Sequence, residues 1–162
     1  MSQAPHYSER WLEENRDRVV GDIDSGGREP STSPAERASP EHDIQSALFE
    51  LCAYHEKQRP PLAMIYATPN GQYRPGQRPE PGMKSGVPDV TLPWAASGYH
   101  GLYLELKAPG KYPRPEQREW LENLRAAGYA ARVARSVDET WTLITAYLDG
   151  ALEPLPEDDS TR

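Results

Sequence analysis

Asp89, Glu105 and Lys107 are residues whose types and spacing could do chemistry. Asp89 opens one short apolar run, and Glu105 and Lys107 alternate with leucines near the end of the next. If residues 88–94 and 100–107 pair as an antiparallel hairpin, with Trp94 opposite His100, the register sets Asp89 opposite Glu105. Directly opposed residues have Cβ atoms roughly 4.5–5.5 Å apart, and like charges there destabilise the pair. A divalent cation is the simplest relief, because hard carboxylate oxygens suit Mg²⁺ or Mn²⁺, which keep several waters and can reach a phosphate oxygen. Such a cation polarises the phosphoryl group and lowers the pKa of a bound water. Side chains alternate across a strand, so Lys107 shares the face of Glu105 and could orient that water or neutralise developing charge. This is the chemistry of phosphodiester hydrolysis. The bland alternative is a solvated strand face whose Glu105–Lys107 pair contributes little.

The elements that must position these groups are legible from periodicity and punctuation. Ser39 can cap a helix opening at Pro40, with Ile44, Ala47, Leu48, Leu51 and Cys52 at helical spacing and an end before Pro60 and Pro61. Extended backwards, that stripe reaches Glu41 and Gln45, so an acid and an amide continue its inward side. LAMIYA, residues 62–67, reads as a buried strand ended by the turn residues Pro69, Asn70 and Gly71. Residues 72–86 form a long basic loop containing Arg74, Arg78 and Lys84, of the kind that holds a ligand. After the hairpin, Pro115 opens a helix carrying Trp120, Leu121 and Leu124 and closed by Gly128, with Gln117 facing inward. A strand over 129–134 and a helix over 137–149 follow, the latter with Ser136 and Glu139 as a capping box.

Length and composition bound the rest. A chain of 162 residues suits one ordinary domain with tails. Seventeen prolines point to unfolded ends. The expected division is a tail and linker over 1–38, with a short helix near 7–20, a folded domain over 39–150 and an acidic tail over 151–162. A net charge of −7 argues at first against a polyanionic partner, yet residues 69–118 hold seven basic and four acidic side chains, two of the acids being Asp89 and Glu105. That local excess is what phosphate binding needs. One cysteine, Cys52, excludes a disulfide framework or a thiolate metal site, and it reads as a buried small hydrophobe. No apolar stretch approaches a membrane span. The expectation is a protein of the reducing cytoplasm, with no membrane partner.

Other residues carry weaker signals. Lys84 lies between Gly82 and Gly86, where backbone can approach a polyanion, and Ser85 adjoins it. Arg74, Arg78, Lys111 and Arg114 are balanced between DNA contact and solvation. Asn70 reads first as turn chemistry and second as a substrate contact. His42, His55 and His100 read as surface residues, and no His/Cys set suggests zinc. Trp94 and Tyr99 at the hairpin tip read as core, with a stacking surface or a dimer contact as alternatives.

Pro88-Asp89 followed by Glu105-Leu106-Lys107 resembles the PD-(D/E)XK nuclease motif, and the element order is similar to the αβββαβ core of that superfamily. From about 41 to 149 the chain resembles the VRR-NUC family, through Glu41-His-Asp-Ile-Gln45, Pro69-Asn-Gly71, Met83-Lys-Ser-Gly-Val-Pro-Asp89, Tyr103-Leu-Glu-Leu-Lys107, Gln117 before Trp120-Leu121, Gly128-Tyr129 and the closing Ser136 to Leu148. The resemblance implies an α/β, restriction-endonuclease-like fold, a mixed sheet flanked by helices. It implies an Mg²⁺- or Mn²⁺-dependent DNA endonuclease, similar to Holliday junction resolvases acting on branched DNA as homodimers. It also implies that Asp89, Glu105 and the main-chain carbonyl of Leu106 hold the metal, with Glu41 completing the shell directly or through water. Lys107 would serve the attacking water, and Gln117 would support the site or contact substrate. Lys84, Ser85, Arg74, Arg78, Lys111, Asn70 and Gln45 are the expected DNA contacts. The proline-rich loop over 72–82 and Arg114, where a capping Ser or Thr is usual, depart from the family pattern and bear on substrate preference. The rival readings are a restriction-type or repair nuclease on duplex or flap DNA, and a non-catalytic nucleic-acid-binding module of the same fold.

Overall fold

The structure, a computed structural model, describes residues 39–69 and 81–155. The expected helix near 7–20, the linker after it, most of the basic loop with Asn70, Arg74 and Arg78, and the end of the acidic tail lie outside the described residues.

Helix α1, Pro40–His55, begins as its sequence dictates: Ser39 Oγ accepts from the His42 amide at 3.3 Å, and Pro40 occupies the first turn. Ile44, Leu48 and Cys52 form its buried stripe. The strand expected over 62–67 is largely replaced by a 3-10 helix, Pro60–Met64, leaving a two-residue β1, Tyr66–Ala67. Two consecutive prolines preset φ for a tight turn, and the Ile65 amide closes it on the Leu62 carbonyl at 3.2 Å. Leu62 and Ile65 are buried all the same, which is why a short apolar run alone does not separate strand from helical turn.

β2, Val90–Leu92, pairs antiparallel with β1 and with β3, Leu102–Leu106. β4, Ala130–Ala134, lies parallel to β3, and the sheet order is β1-β2-β3-β4. Val90 sits opposite Leu104, the register expected from the hairpin; one further step sets Asp89 against Glu105. The strands are shorter than expected at their distal ends. Pro93 has no amide to give the ladder, and the Trp94 amide turns back to the Leu92 carbonyl at 2.9 Å. Beyond them the hairpin tip is pinned by buried Tyr147, whose hydroxyl donates to the Trp94 carbonyl and accepts from the Ala96 amide. Trp94 and Tyr99 pack against the core, the default reading for both.

Helices cover both faces of the sheet. On one, Leu102, Leu104, Leu106, Ala130 and Ala134 meet α1 and helix α3, Val137–Leu148, through Ile44, Leu48, Ile144 and Tyr147. Each leucine so buried contributes roughly 1.5–3 kcal/mol. On the other, helix α2, Pro115–Ala126, sets Leu121 and Leu124 on Ala131, with Tyr103, Tyr129 and Val133 alongside. This is the mixed α/β architecture expected, in the order expected, with one 3-10 turn added. Residues 151–155 are held to it as well: Leu152 packs on the core, and the buried Arg132 guanidinium donates to the Glu153 carbonyl at 3.0 Å. Among the described residues no helix is long and apolar enough to cross a membrane.

Candidate active site

The C-terminal end of β3 is where the elements converge. The Lys107 amide donates to the Ala134 carbonyl on the β4 side, so the alternating backbone turns the amide and carbonyl of Leu106 towards β2. There β2 has not yet begun, since Val90 is its first residue and buried Pro88 has no amide. The vacated position is taken by a side chain: Asp89 Oδ2 accepts from the Leu106 amide at 2.8 Å. Asp89 and the Leu106 carbonyl are thereby brought to the same edge of β3.

Glu105 points to the α2 face and has no exposed surface. Its Oε1 accepts from Lys107 Nζ at 2.6 Å and from Gln117 Nε2. Its Oε2 has no hydrogen-bond partner. Burial, then the charge of Asp89, raise this carboxyl to about 7 against the hydrogen bond and charge of Lys107, with Glu41 adding to the rise. The ion pair is therefore outweighed by desolvation and by neighbouring acids. Lys107, itself buried, also donates to the Leu106 carbonyl at 3.0 Å and stands 3.8 Å from Glu41 Oε1.

Two helix N-termini face this cluster, and the positive end of a helix favours negative charge. Glu41 in the first turn of α1 accepts from the Ala108 amide at 3.2 Å. Gln117 in the first turn of α2 accepts from the Arg114 amide at 2.9 Å while its amide nitrogen holds Glu105. That backbone contact supplies the cap which Arg114, standing where Ser or Thr is usual, does not.

An open cleft of about 810 Å³ lies over the cluster, lined among others by Glu41, Gln45, Lys84, Ser85, Asp89 and Lys107. Of the expected DNA contacts, Gln45, Lys84 and Ser85 are on its wall; Lys111 is exposed on the loop after β3 but is not part of that wall. Asn70, Arg74 and Arg78 lie outside the described residues. His42 is exposed at the cleft, and Arg114 and Tyr112 also line it, a tyrosine the sequence reading passed over. The available signal was an aromatic residue in a polar, proline-flanked loop just after Glu-x-Lys. His55 stacks on Trp141 at 4.9 Å between ring centroids, away from the cleft.

The basic segment is locked to α2. Trp120 Nε1 donates to the Ser85 carbonyl at 2.9 Å, so Trp120, read from sequence as core alone, also positions the segment carrying Lys84. Gly86 has φ +82°, and a Cβ there would lie 2.8 Å from the Glu116 backbone. Gly86→Ala should therefore cost at least ~1–3 kcal/mol from backbone strain alone. Urea denaturation checks the stability, and DNA affinity of the folded variant reads the displacement of Lys84.

The donor set fits a hard divalent cation in part. A buried, orphaned carboxylate oxygen beside a second carboxylate and a main-chain carbonyl is what such an ion satisfies. Among the described residues, however, no three His, Cys, Asp or Glu side chains stand close enough to hold a metal between them. Glu41 meets the cluster through its Oε1, which accepts from the Ala108 amide and stands 3.8 Å from Lys107 Nζ. Cys52 is buried in the core, its thiol pushed up to about 12 by burial, and takes no part.

Residues 76–138 match the family model of the VRR-NUC domain. A solved structure described as a VRR_NUC domain protein is similar at 28% sequence identity and a TM-score of 0.56, over 72% of this chain and 97% of that one. No curated protein matches.

Proposed function

Since this chain carries a VRR-NUC domain, and that family is one of PD-(D/E)XK nucleases, we propose that it is an Mg²⁺- or Mn²⁺-dependent endonuclease that cuts branched DNA as a homodimer. The observation that carries this reading is Glu105: a fully buried carboxylate with one orphaned oxygen, beside Asp89 and ion-paired to Lys107. Burying a carboxylate in this way costs stability that the fold alone does not recover. Function is the physical reason to keep it.

In this proposal Asp89, Glu105 and the Leu106 carbonyl hold the cation, and Glu41 reaches it through water. When bound, the cation polarises a phosphoryl oxygen and lowers the pKa of a bound water. Lys107 Nζ, already held by Glu105 and the Leu106 carbonyl, donates to the attacking water and offsets charge developing on the phosphate. Gln117 keeps Glu105 in place from the N-terminus of α2. Lys84, Ser85 and Gln45 on the cleft wall contact the phosphate backbone, and Lys111, Asn70, Arg74 and Arg78 extend that contact. The protein would work in the cytoplasm of a bacterial or phage-infected cell.

Two sites related by a dyad would face two strands of a four-way junction. Purified protein in Mg²⁺ should therefore cut a synthetic junction faster than duplex, flap or single-stranded controls, with paired incisions. Duplex cut at least as fast would replace branched DNA by a short duplex site as substrate. No cutting of any of them, in either metal, would overturn the nuclease reading.

A further inference from the structure

Tyr112 is a large aromatic side chain with no core to serve. It is 63% exposed, and of the exposed large hydrophobic residues among those described, Tyr54, Tyr66 and Tyr112, it alone lines the cleft. Its loop is nevertheless well anchored. The Lys111 amide closes a turn on the Ala108 carbonyl at 3.0 Å, and Pro113 is buried. Arg135, from the junction of β4 and α3, sets its guanidinium 5.6 Å from the centre of the Tyr112 ring and donates from Nε to the Lys111 carbonyl at 3.4 Å. Two separate elements thus steady an exposed ring, so little side-chain entropy remains to be lost when something stacks on it. The ring stands five residues beyond Lys107 and shares the cleft with Lys84 and Arg114, which supply the charge a phosphate backbone meets.

Resting on the nuclease reading above, we propose that Tyr112 stacks on a nucleobase exposed at a branch point and so selects branched over fully paired DNA. Every base offers a π-face, so the contact is tolerant of sequence. In an intact duplex those faces are covered by neighbouring pairs, and an aromatic ring at the cleft rim reaches only sugar and phosphate. At a branch point base stacking is interrupted, and one face is open to the ring. Specificity of this kind needs no base-edge hydrogen bonds. Arg135 is the positioning residue that presents the ring.

The test compares a four-way junction carrying 2-aminopurine at the branch point with a duplex of the same sequence. Binding is measured on the full chain with Asp89→Asn, and single-turnover cleavage on the Asp89-intact protein. Tyr112→Ala should lower the junction-to-duplex ratio by about 10- to 100-fold, the range of a single base–aromatic stack. Tyr112→Phe should keep the ratio, and the 2-aminopurine quenching that accompanies binding should require an aromatic side chain at 112. An unchanged ratio in both assays, or equal losses on junction and duplex, overturns the proposal while leaving the nuclease reading intact. Absence of both junction binding and cutting in the parent overturns the two together.

Discussion

Lys107→Ala should lose roughly 10²- to 10⁴-fold in the single-turnover rate of DNA cleavage, the range for removing one positioned proton-handling or charge-stabilising group. Its ammonium bridges Glu105 and the Leu106 carbonyl at 2.6 and 3.0 Å, so it stands where water and phosphate are proposed to meet. Lys107→Arg should not rescue the rate, because a planar fork does not reproduce a compact point charge between those two acceptors. A stability effect accompanies the rate effect and has its own signature. Without Lys107 the buried Glu105 carboxylate loses its counter-charge, a change worth ~3–5 kcal/mol for a buried pair. Protonation of Glu105 relieves that penalty at acid pH. The variant should therefore be much less stable than the parent at pH 8 and nearly as stable at pH 5. Loss of rate with an equal stability deficit at both pH values would mean that Lys107 acts through packing alone.

The second large effect is a pH dependence of stability in metal-free protein. Glu105 sits at about 7 in the folded chain against an ordinary 4.5, mainly from burial and then from the charge of Asp89. Between those values the native state keeps a proton that the unfolded chain has released, so stability falls as pH rises from about 4.5 to 7 and levels off above. The loss is on the order of 2–3 kcal/mol. Urea unfolding in EDTA at pH 5, 6, 7 and 8 reads it directly. Mg²⁺ should flatten the profile by stabilising the folded protein more at pH 8 than at pH 5, since the ion binds the ionised carboxylates and only the native state assembles them. Glu105→Gln should remove both the slope and the metal response. A parent whose stability does not change between pH 5 and 8 in EDTA would show that Glu105 is not held against its charge.

Much of this arrangement was legible in the residues themselves. The hairpin register followed from two strand-like runs and a five-residue loop, and strict alternation then set Glu105 and Lys107 on the face opposite the leucines. Caps at Ser39 and Ser136 and a glycine at 128 marked helix boundaries to within a residue or two. What was not legible came from tertiary contacts. Pro60 and Pro61 drew a strand-like sequence into a 3-10 turn because Leu62 and Ile65 could be buried from either conformation. Glu41 was placed near the site from its stripe, but its engagement by the Ala108 amide depends on how α1 meets the end of β3. For Tyr112 and Trp120 the local sequence marks an aromatic in a loop and an apolar helix position, but not their partners, which are Arg135 just after β4 for one and the carbonyl of Ser85 for the other.

The account stands on a cation shared by Asp89 and Glu105, and Mn²⁺ binding followed by electron paramagnetic resonance measures that sharing without requiring turnover. The parent should show one class of bound Mn²⁺ at pH 8 that weakens at least tenfold in Asp89→Asn and again in Glu105→Gln, with both variants folded. Undiminished Mn²⁺ binding in either variant would show that the two carboxylates do not form a common site.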